Sequence, residues 1–163
     1  ELSDLCRSEP KQRKDNEQWY VNTRYSKELT EFRKLFYPNG KKVIPANLGI
    51  LLKNPLSLAI WFMDDGTLDW RIKSHYAFRL TTNCFSLEEN KTLLQILKRN
   101  FLIDATVQTT LIRGVRYPRI HIGAHGREQF RKIVQSHILP CFHYKLPPFV
   151  FNPSETFPLI AEG

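Results

Sequence analysis

A chain of 163 residues, 42% hydrophobic and 25% charged, has the length for one well-buried core and the composition of an ordinary globular domain. It has no run of about 18 uncharged apolar residues and no secretory signal, so a membrane protein or a secreted one is not expected and an intracellular setting is. Twenty-four Lys and Arg against sixteen Asp and Glu leave a net charge of +8, which suits a polyanionic partner because each phosphate neutralised releases a condensed counterion.

Cys6, Cys84 and Cys141 are far apart and form no CxxC pair. They predict neither a disulfide framework nor a thiolate metal site, but reduced thiols in a reducing compartment. In chain order, the polar run from Glu9 to Glu17 reads as a loop, and residues 18–25 as an aromatic, β-branched strand. Ser26 then caps a helix to about Tyr37, with Leu29, Phe32 and Leu35 or Phe36 on one face, and Pro38-Asn39-Gly40 stops it. Asn54 and Pro55 open the next helix as cap and first residue. This helix is apolar nearly all round through Met63, which predicts burial on every side, and Gly66 is placed to end it in a left-handed conformation.

Beyond Gly66, residues 67–74 and 76–83 alternate as two strands. Asp69, Arg71 and Lys73 fall on one face of the first, Trp70 and Ile72 on the other; Phe78 and Leu80 oppose Arg79 and Thr81 in the second. Ser86-Leu87-Glu88-Glu89 is a capping box for a helix to about Phe101, with Leu87, Leu94, Leu97 and Phe101 inward. A second strand pair, 104–112 and 115–122, turns at Arg113-Gly114, and a last helix runs from about Arg127 to Leu139. The expected class is α+β: αββαββα, a four-stranded antiparallel sheet with helices on one face. A faint echo between Lys42-Val43-Ile44-Pro45 and Lys145-Leu146-Pro147 divides the chain into the tail of a truncated first repeat (1–45), a complete repeat (46–148) and an extension (149–163).

The chemistry is concentrated in Leu58-Ala59-Ile60-Trp61-Phe62-Met63-Asp64-Asp65-Gly66. Two carboxylates at the negative end of a helix dipole are destabilising unless a cation sits nearby. A hard divalent ion would relieve the repulsion, and so would a neighbouring Lys or Arg in a purely structural arrangement. The nine residues resemble the LAGLIDADG signature in its L-A-x-W-x-M-D-D-G form. Leu80-Thr81-Thr82-Asn83, the Phe85-Ser86-x-Glu88-Glu89 helix start and the closing Tyr144-Lys145-Leu146-Pro147 extend the likeness to homing endonucleases over about residues 17–148.

That resemblance implies a divalent-metal-dependent endonuclease acting on double-stranded DNA. Asp65 is implied as ligand to Mg²⁺ or Mn²⁺, with Asp64 as its neighbour, Lys145 as the cation near the scissile phosphate, and Arg79 as the residue organising water. Lys42, or Lys41, is the counterpart of Lys145 in the truncated repeat. Each of these also has an ordinary surface or junction reading. The saddle implied by the family would face DNA with Arg71, Lys73, Arg79 and Thr81 on one strand pair and Gln108, Thr110, Arg113, Arg116, Arg119 and His121 on the other, in a major groove roughly 12 Å wide. Some would touch phosphates alone. His75, His125, His137 and His143 lack zinc-ligand spacing and read as structural or surface groups.

Signature helices of this family pack in pairs. With Ile60 where the name-giving motif has Gly, Ala59 carries more of the close contact, and Leu58, Ala59 and Phe62 form the expected packing face. Because the sequence holds one such motif, the second catalytic acid is expected from residues absent here, another chain or a symmetric copy, the last two giving a homodimer or heterodimer through the Leu58–Gly66 helix. The alternative implied by the same fold is an intron-RNA-binding maturase that needs no cleavage. Either is expected in a chloroplast, a mitochondrion or a bacterial or archaeal cytoplasm.

Overall fold

The computed structural model describes residues 3–71 and 75–148, and the chain divides between Pro45 and Ala46 into two compact units. In the first, Lys11–Gln12 (β1) pairs antiparallel with Trp19–Tyr20 (β2). The expected strand over 18–25 is thus two residues long, and its partner comes from the segment read as loop. The pairing resumes beyond it, because Arg7 N–H donates to Asn22 O and Arg24 N–H to Leu5 O, both at 2.7 Å. Backbone bonds, which periodicity does not see, decide this region. Helix α1, Lys27–Phe36, starts where Ser26 Oγ accepts from Leu29 N–H. Leu29, Leu35 and Phe36 are half-buried, while Phe32 stays exposed.

The second unit runs α2 (Leu48–Leu51), α3 (Pro55–Asp65), β3 (Gly66–Arg71), β4 (His75–Thr81), α4 (Leu87–Phe101), β5 (Thr106–Ile112), β6 (Val115–Ile122) and α5 (Arg127–Val134). A 3-10 turn, Gln135–His137, follows α5 where a longer helix is expected, and a second, Pro140–Lys145, closes the described chain. The strands form one antiparallel sheet in the order β3-β4-β6-β5. The α+β architecture expected of the sequence is therefore the one observed. At the β5–β6 hairpin Arg113 and Gly114 have φ of 49° and 80°, the paired positive angles that match the twist of a two-residue turn.

Helix starts follow their caps: Asn54 Oδ1 accepts from Leu56 N–H, and Ser86 and Glu89 form the reciprocal capping box. Two expectations fail. Leu87 is exposed, and the inner face of α4 is Asn90, Leu93, Ile96, Leu97 and Phe101, because Leu87 lies in the first turn, turned away from the sheet. Helix α3 is buried on one side only: Leu58, Ala59, Phe62 and Met63 point inward, while Ser57, Ile60 and Asp64 remain exposed.

The core lies between the helices and one sheet face. Phe78 and Leu80 of β4 and Ile120 and Ile122 of β6 are fully buried there, with Phe62, Leu97 and Phe130 from α3, α4 and α5. Three rings form its centre. Phe62 meets Phe78 and Phe130 edge-on, with centroids 5.4 and 5.1 Å apart, and Phe78 lies 4.8 Å from Phe130. A polar link at the margin joins β4 to α5: the Tyr76 hydroxyl donates to Glu128, which also receives Arg131. Burial, with the Glu128 carboxylate second, pushes the Tyr76 phenol up to about 12. Phe62→Ala should lower the unfolding free energy by about 3–5 kcal/mol, as a fully buried ring is lost from a packed cluster. Denaturant unfolding followed by circular dichroism measures it, and a change below about 1 kcal/mol would contradict this picture of the core.

Candidate active site and nucleic-acid face

Strand register turns the alternation of charge into a surface. Thr67 of β3 pairs with Arg79 of β4, Arg79 with His121 of β6, and His121 with Thr106 of β5. The next row runs Thr81, Arg119, Gln108, and beyond it Tyr117 pairs with Thr110. On the other side of the Arg79 row lie Asp69 opposite Ala77 and Arg71 opposite His75. The face opposite the helices therefore carries Arg71, Arg79, Arg119, His75 and His121 among Thr, Gln and Tyr side chains, with Asp69 the one carboxylate among the described residues.

Of the expected DNA-facing residues, the register brings Arg71, Arg79, Thr81, Gln108, Thr110, Arg119 and His121 together. Arg116 is corrected: it pairs with Leu111 and sits an odd number of residues from Arg119, so it projects to the other face. Arg113 occupies the hairpin turn rather than the sheet face. Lys73 falls outside the described residues. Lys42 belongs to the first unit, in the extended segment after the Pro38–Gly40 turn. Thr67, Thr106, Tyr117 and His75 were not anticipated, because which residues of different strands stand side by side is a matter of register alone.

This face is tightly charged. Arg79 Nη2 donates to Asp69 Oδ2, and Arg71 Nε lies 3.9 Å from Asp69 Oδ1. Among the described residues, Arg79 Nε, Arg119 Nε, His121 Nδ1 and Thr110 Oγ1 are buried without a hydrogen-bond partner. Burial, then the Arg79 cation, lowers the Arg119 guanidinium, against the opposing pull of Asp69. The His121 imidazole is lowered by burial first, then by Arg79, His75 and Arg119, again opposed by Asp69.

The second feature begins where α3 ends. Gly66 starts β3 directly after Asp65, with no intervening loop. Its φ is −89°, not left-handed as expected; glycine is required instead by proximity, since a Cβ there would lie 2.0 Å from Phe62 Cδ2 and 2.3 Å from Phe62 O. Asp64 is exposed and Asp65 half-buried at the mouth of a cleft of about 810 Å³, shared with Thr67, Trp70, Thr81 and Lys145. Lys145, 9% exposed, donates from Nζ to Met63 O at 2.6 Å and lies 5.5 Å from the Phe142 ring centre. A cation on a last-turn carbonyl offsets the negative end of the helix, so Lys145 supplies part of the charge that two terminal aspartates require.

The donors available to a metal here are hard carboxylate oxygens, which fit Mg²⁺ or Mn²⁺ rather than a soft ion. No group of three or more His, Cys, Asp or Glu is assembled among the described residues. An ion here would be held by Asp65, with Asp64 beside it, and would need further oxygen ligands beyond these two side chains. The expected helix-packing residues are corrected. Leu58, Ala59 and Phe62 are fully buried within this unit. The flank of α3 left open is Ser57, Ile60, Trp61 and Asp64, at helical spacing, with Ile60 54% exposed.

Residues 1–130 match the model of the LAGLIDADG DNA endonuclease family. The chain belongs to that family. It is 33% identical over 119 residues to the cytochrome b mRNA maturase bI2 of Debaryomyces hansenii, covering 73% of this chain and 42% of that protein. It is 29% identical over 140 residues to DNA endonuclease I-ChuI of Chlamydomonas applanata, covering 82% and 63%. The solved structure of the homing endonuclease I-WcaI bound to its DNA recognition sequence superposes with a TM-score of 0.71 at 27% identity, over 88% of this chain and 66% of that one. This LAGLIDADG chain thus spans from two fifths to about two thirds of these three proteins, and both endonucleases and a maturase stand among them.

Because the His121 imidazole is lowered in the folded state, the unfolded chain binds more protons between that value and the ordinary histidine value of about 6.5. Stability from this group is complete above about 6.5 and is lost as pH falls through the folded value. Replacing His121 with Gln should flatten the fall in melting temperature on acidification, and an unchanged pH profile would refute the assignment.

Proposed function

We propose that this chain is the DNA-binding, metal-holding part of a homing-type endonuclease that hydrolyses phosphodiester bonds in double-stranded DNA with Mg²⁺ or Mn²⁺. The observation that carries the reading is the junction at Asp65-Gly66. The acid that would hold the ion ends α3, and the strand that opens the cationic face starts at the next residue. A duplex lying on that face is thereby brought to the carboxylates by the chain itself.

A divalent ion bound there supplies Lewis-acid activation of the attacking water and the phosphodiester. Asp65 holds it, with Asp64 as the outer neighbour. Lys145, fixed on Met63 O, keeps a positive charge in the cleft where phosphate charge develops, without having to reorganise. Arg79, Arg119 and His121, with Gln108 and Thr110, offer donors to base edges and phosphates. The residues 1–45 are read as the tail of a preceding repeat, with Lys42 in the place Lys145 holds in the complete one. The second acid that double-strand cleavage needs comes from another signature helix, docked on the open flank of α3 by a further part of a longer chain, a second copy or a partner chain. Cys6, Cys84 and Cys141 are thiols, the last two exposed, and suit a reducing compartment, an organelle or a prokaryotic cytoplasm.

The maturase reading is supported by the identity of 33% to the bI2 maturase of Debaryomyces hansenii and of 34% to that of Saccharomyces cerevisiae. In it the same face holds folded intron RNA, and the acids at the end of α3 have no chemical task.

Incubation with Mg²⁺ and a randomised duplex library should give cuts at a long preferred site, abolished by EDTA. Asp65→Asn should reduce cleavage by at least about a hundredfold, as expected for a group acting mainly in the transition state, with duplex affinity within about threefold of the parent. Cleavage that survives this change rules out Asp65 as the ligand, and tight binding of intron RNA without cleavage of any duplex favours the maturase. Ile60→Lys should weaken association through α3, seen by analytical ultracentrifugation as a shift towards the smaller species together with lost double-strand cutting; unaltered association would place the partner elsewhere.

A further inference from the structure

The cationic face contains one feature that a surface built only to attract phosphate would omit. Asp69 stands on β3 among Arg71, Arg79, Arg119 and His121, and it is 18% exposed. Its cross-strand neighbour is Ala77, whose methyl leaves room for the Arg79 side chain to cross and place Nη2 on Asp69 Oδ2. Asp69 Oδ1 faces Arg71 Nε at 3.9 Å, outside hydrogen-bonding distance.

A carboxylate here opposes general attraction to DNA. It neutralises part of the Arg79 charge, holds that guanidinium against the sheet, and repels phosphate oxygens from its own position. What it welcomes is a hydrogen-bond donor. In the major groove the donors are exocyclic amines, the N4 amine of cytosine and the N6 amine of adenine, and a carboxylate is the side chain matched to the cytosine amine. We infer that Asp69 is a specificity-determining residue of this face: it restrains Arg79 through one oxygen and offers the other to the amine of a base in the major groove, so that cytosine is favoured at the position it reads. The inference rests on the reading of this face as a duplex-binding surface. It trades affinity for selectivity, because specificity is a difference of affinities and a carboxylate facing the groove penalises wrong partners more than right ones.

Three proteins test it: the parent chain, Asp69→Asn and Asp69→Glu. Each is titrated against a fluorescent random-sequence duplex over a range of salt, in EDTA, and each is used to select duplexes from a randomised library whose retained members are sequenced. Asp69→Asn should bind the random duplex at least about threefold more tightly at low salt, with a steeper salt dependence corresponding to about one more phosphate contact, since Arg79 and Arg71 are released. Asp69→Glu keeps the charge and should not show this gain. In both variants one cytosine-rich position of the selected sites should lose its preference while the others keep theirs. If Asp69→Asn proves poorly folded by circular dichroism, Asp69→Glu carries the selection arm alone. Identical selected sites for all three proteins would overturn the assignment of Asp69 while leaving duplex binding intact. Failure of the parent chain to retain any duplex at low salt would overturn the duplex-binding reading itself, and Asp69 with it.

Discussion

Helix α3 passes into β3 without a connecting residue, and much of the second unit is arranged around that passage. Gly66 lets the backbone turn against the Phe62 ring and carbonyl at distances that any Cβ would violate. Phe62 in turn is seated edge-on against Phe78 and Phe130, so the end of the helix is fastened to the sheet and to α5 through one ring. Lys145, arriving from the last described turn, bonds the Met63 carbonyl and counters the charge of the helix end. The two aspartates are thereby held at a fixed place relative to the first strand of the sheet, in a structure whose interior is too closely packed to let them drift.

The sheet separates two tasks between its faces. Phe78, Leu80, Ile120 and Ile122 face the helices and are fully buried, while their neighbours in sequence, Arg79, Thr81, Arg119 and His121, form the opposite face. Every one of these polar residues is thus held in place by the burial of the residues beside it. The consequence is a cationic surface that is rigid and crowded, with arginine and histidine close enough to disfavour one another's charge. A polyanion relieves that crowding. Asp69 relieves part of it in advance, which is why its placement reads as a constraint on what may bind.

A good part of this was legible in the residues. The caps at Ser26, Asn54 and Ser86, the turn at Arg113-Gly114 and the strand span 115–122 follow from local chemistry, and local chemistry is what sequence pattern reports. The position of Asp64 and Asp65 at a helix end was legible for the same reason. Errors arose where a distant partner decided the outcome. The family's paired signature helices put Leu58, Ala59 and Phe62 on the expected packing face; which flank the sheet would take was not written in the periodicity of the helix. Gly66 looked like a left-handed stop because that is the commoner reason for glycine there, whereas the true reason is a ring one turn earlier in the helix. Arg116 was grouped with Arg119 by charge, although strand parity separates them.

By itself the sequence determined the element types, the alternation that divides core from charged face, and the one acidic, apolar signature that marks the family, since each depends on residues within a turn or two of one another. Tertiary structure alone decided that Lys145 meets Met63 across 82 positions, that Arg79 is held by Asp69, and that Thr67, Arg79, His121 and Thr106 stand in one row. Those relations depend on strand register and on how side chains fill a common interior, quantities fixed only when the whole unit is packed at once.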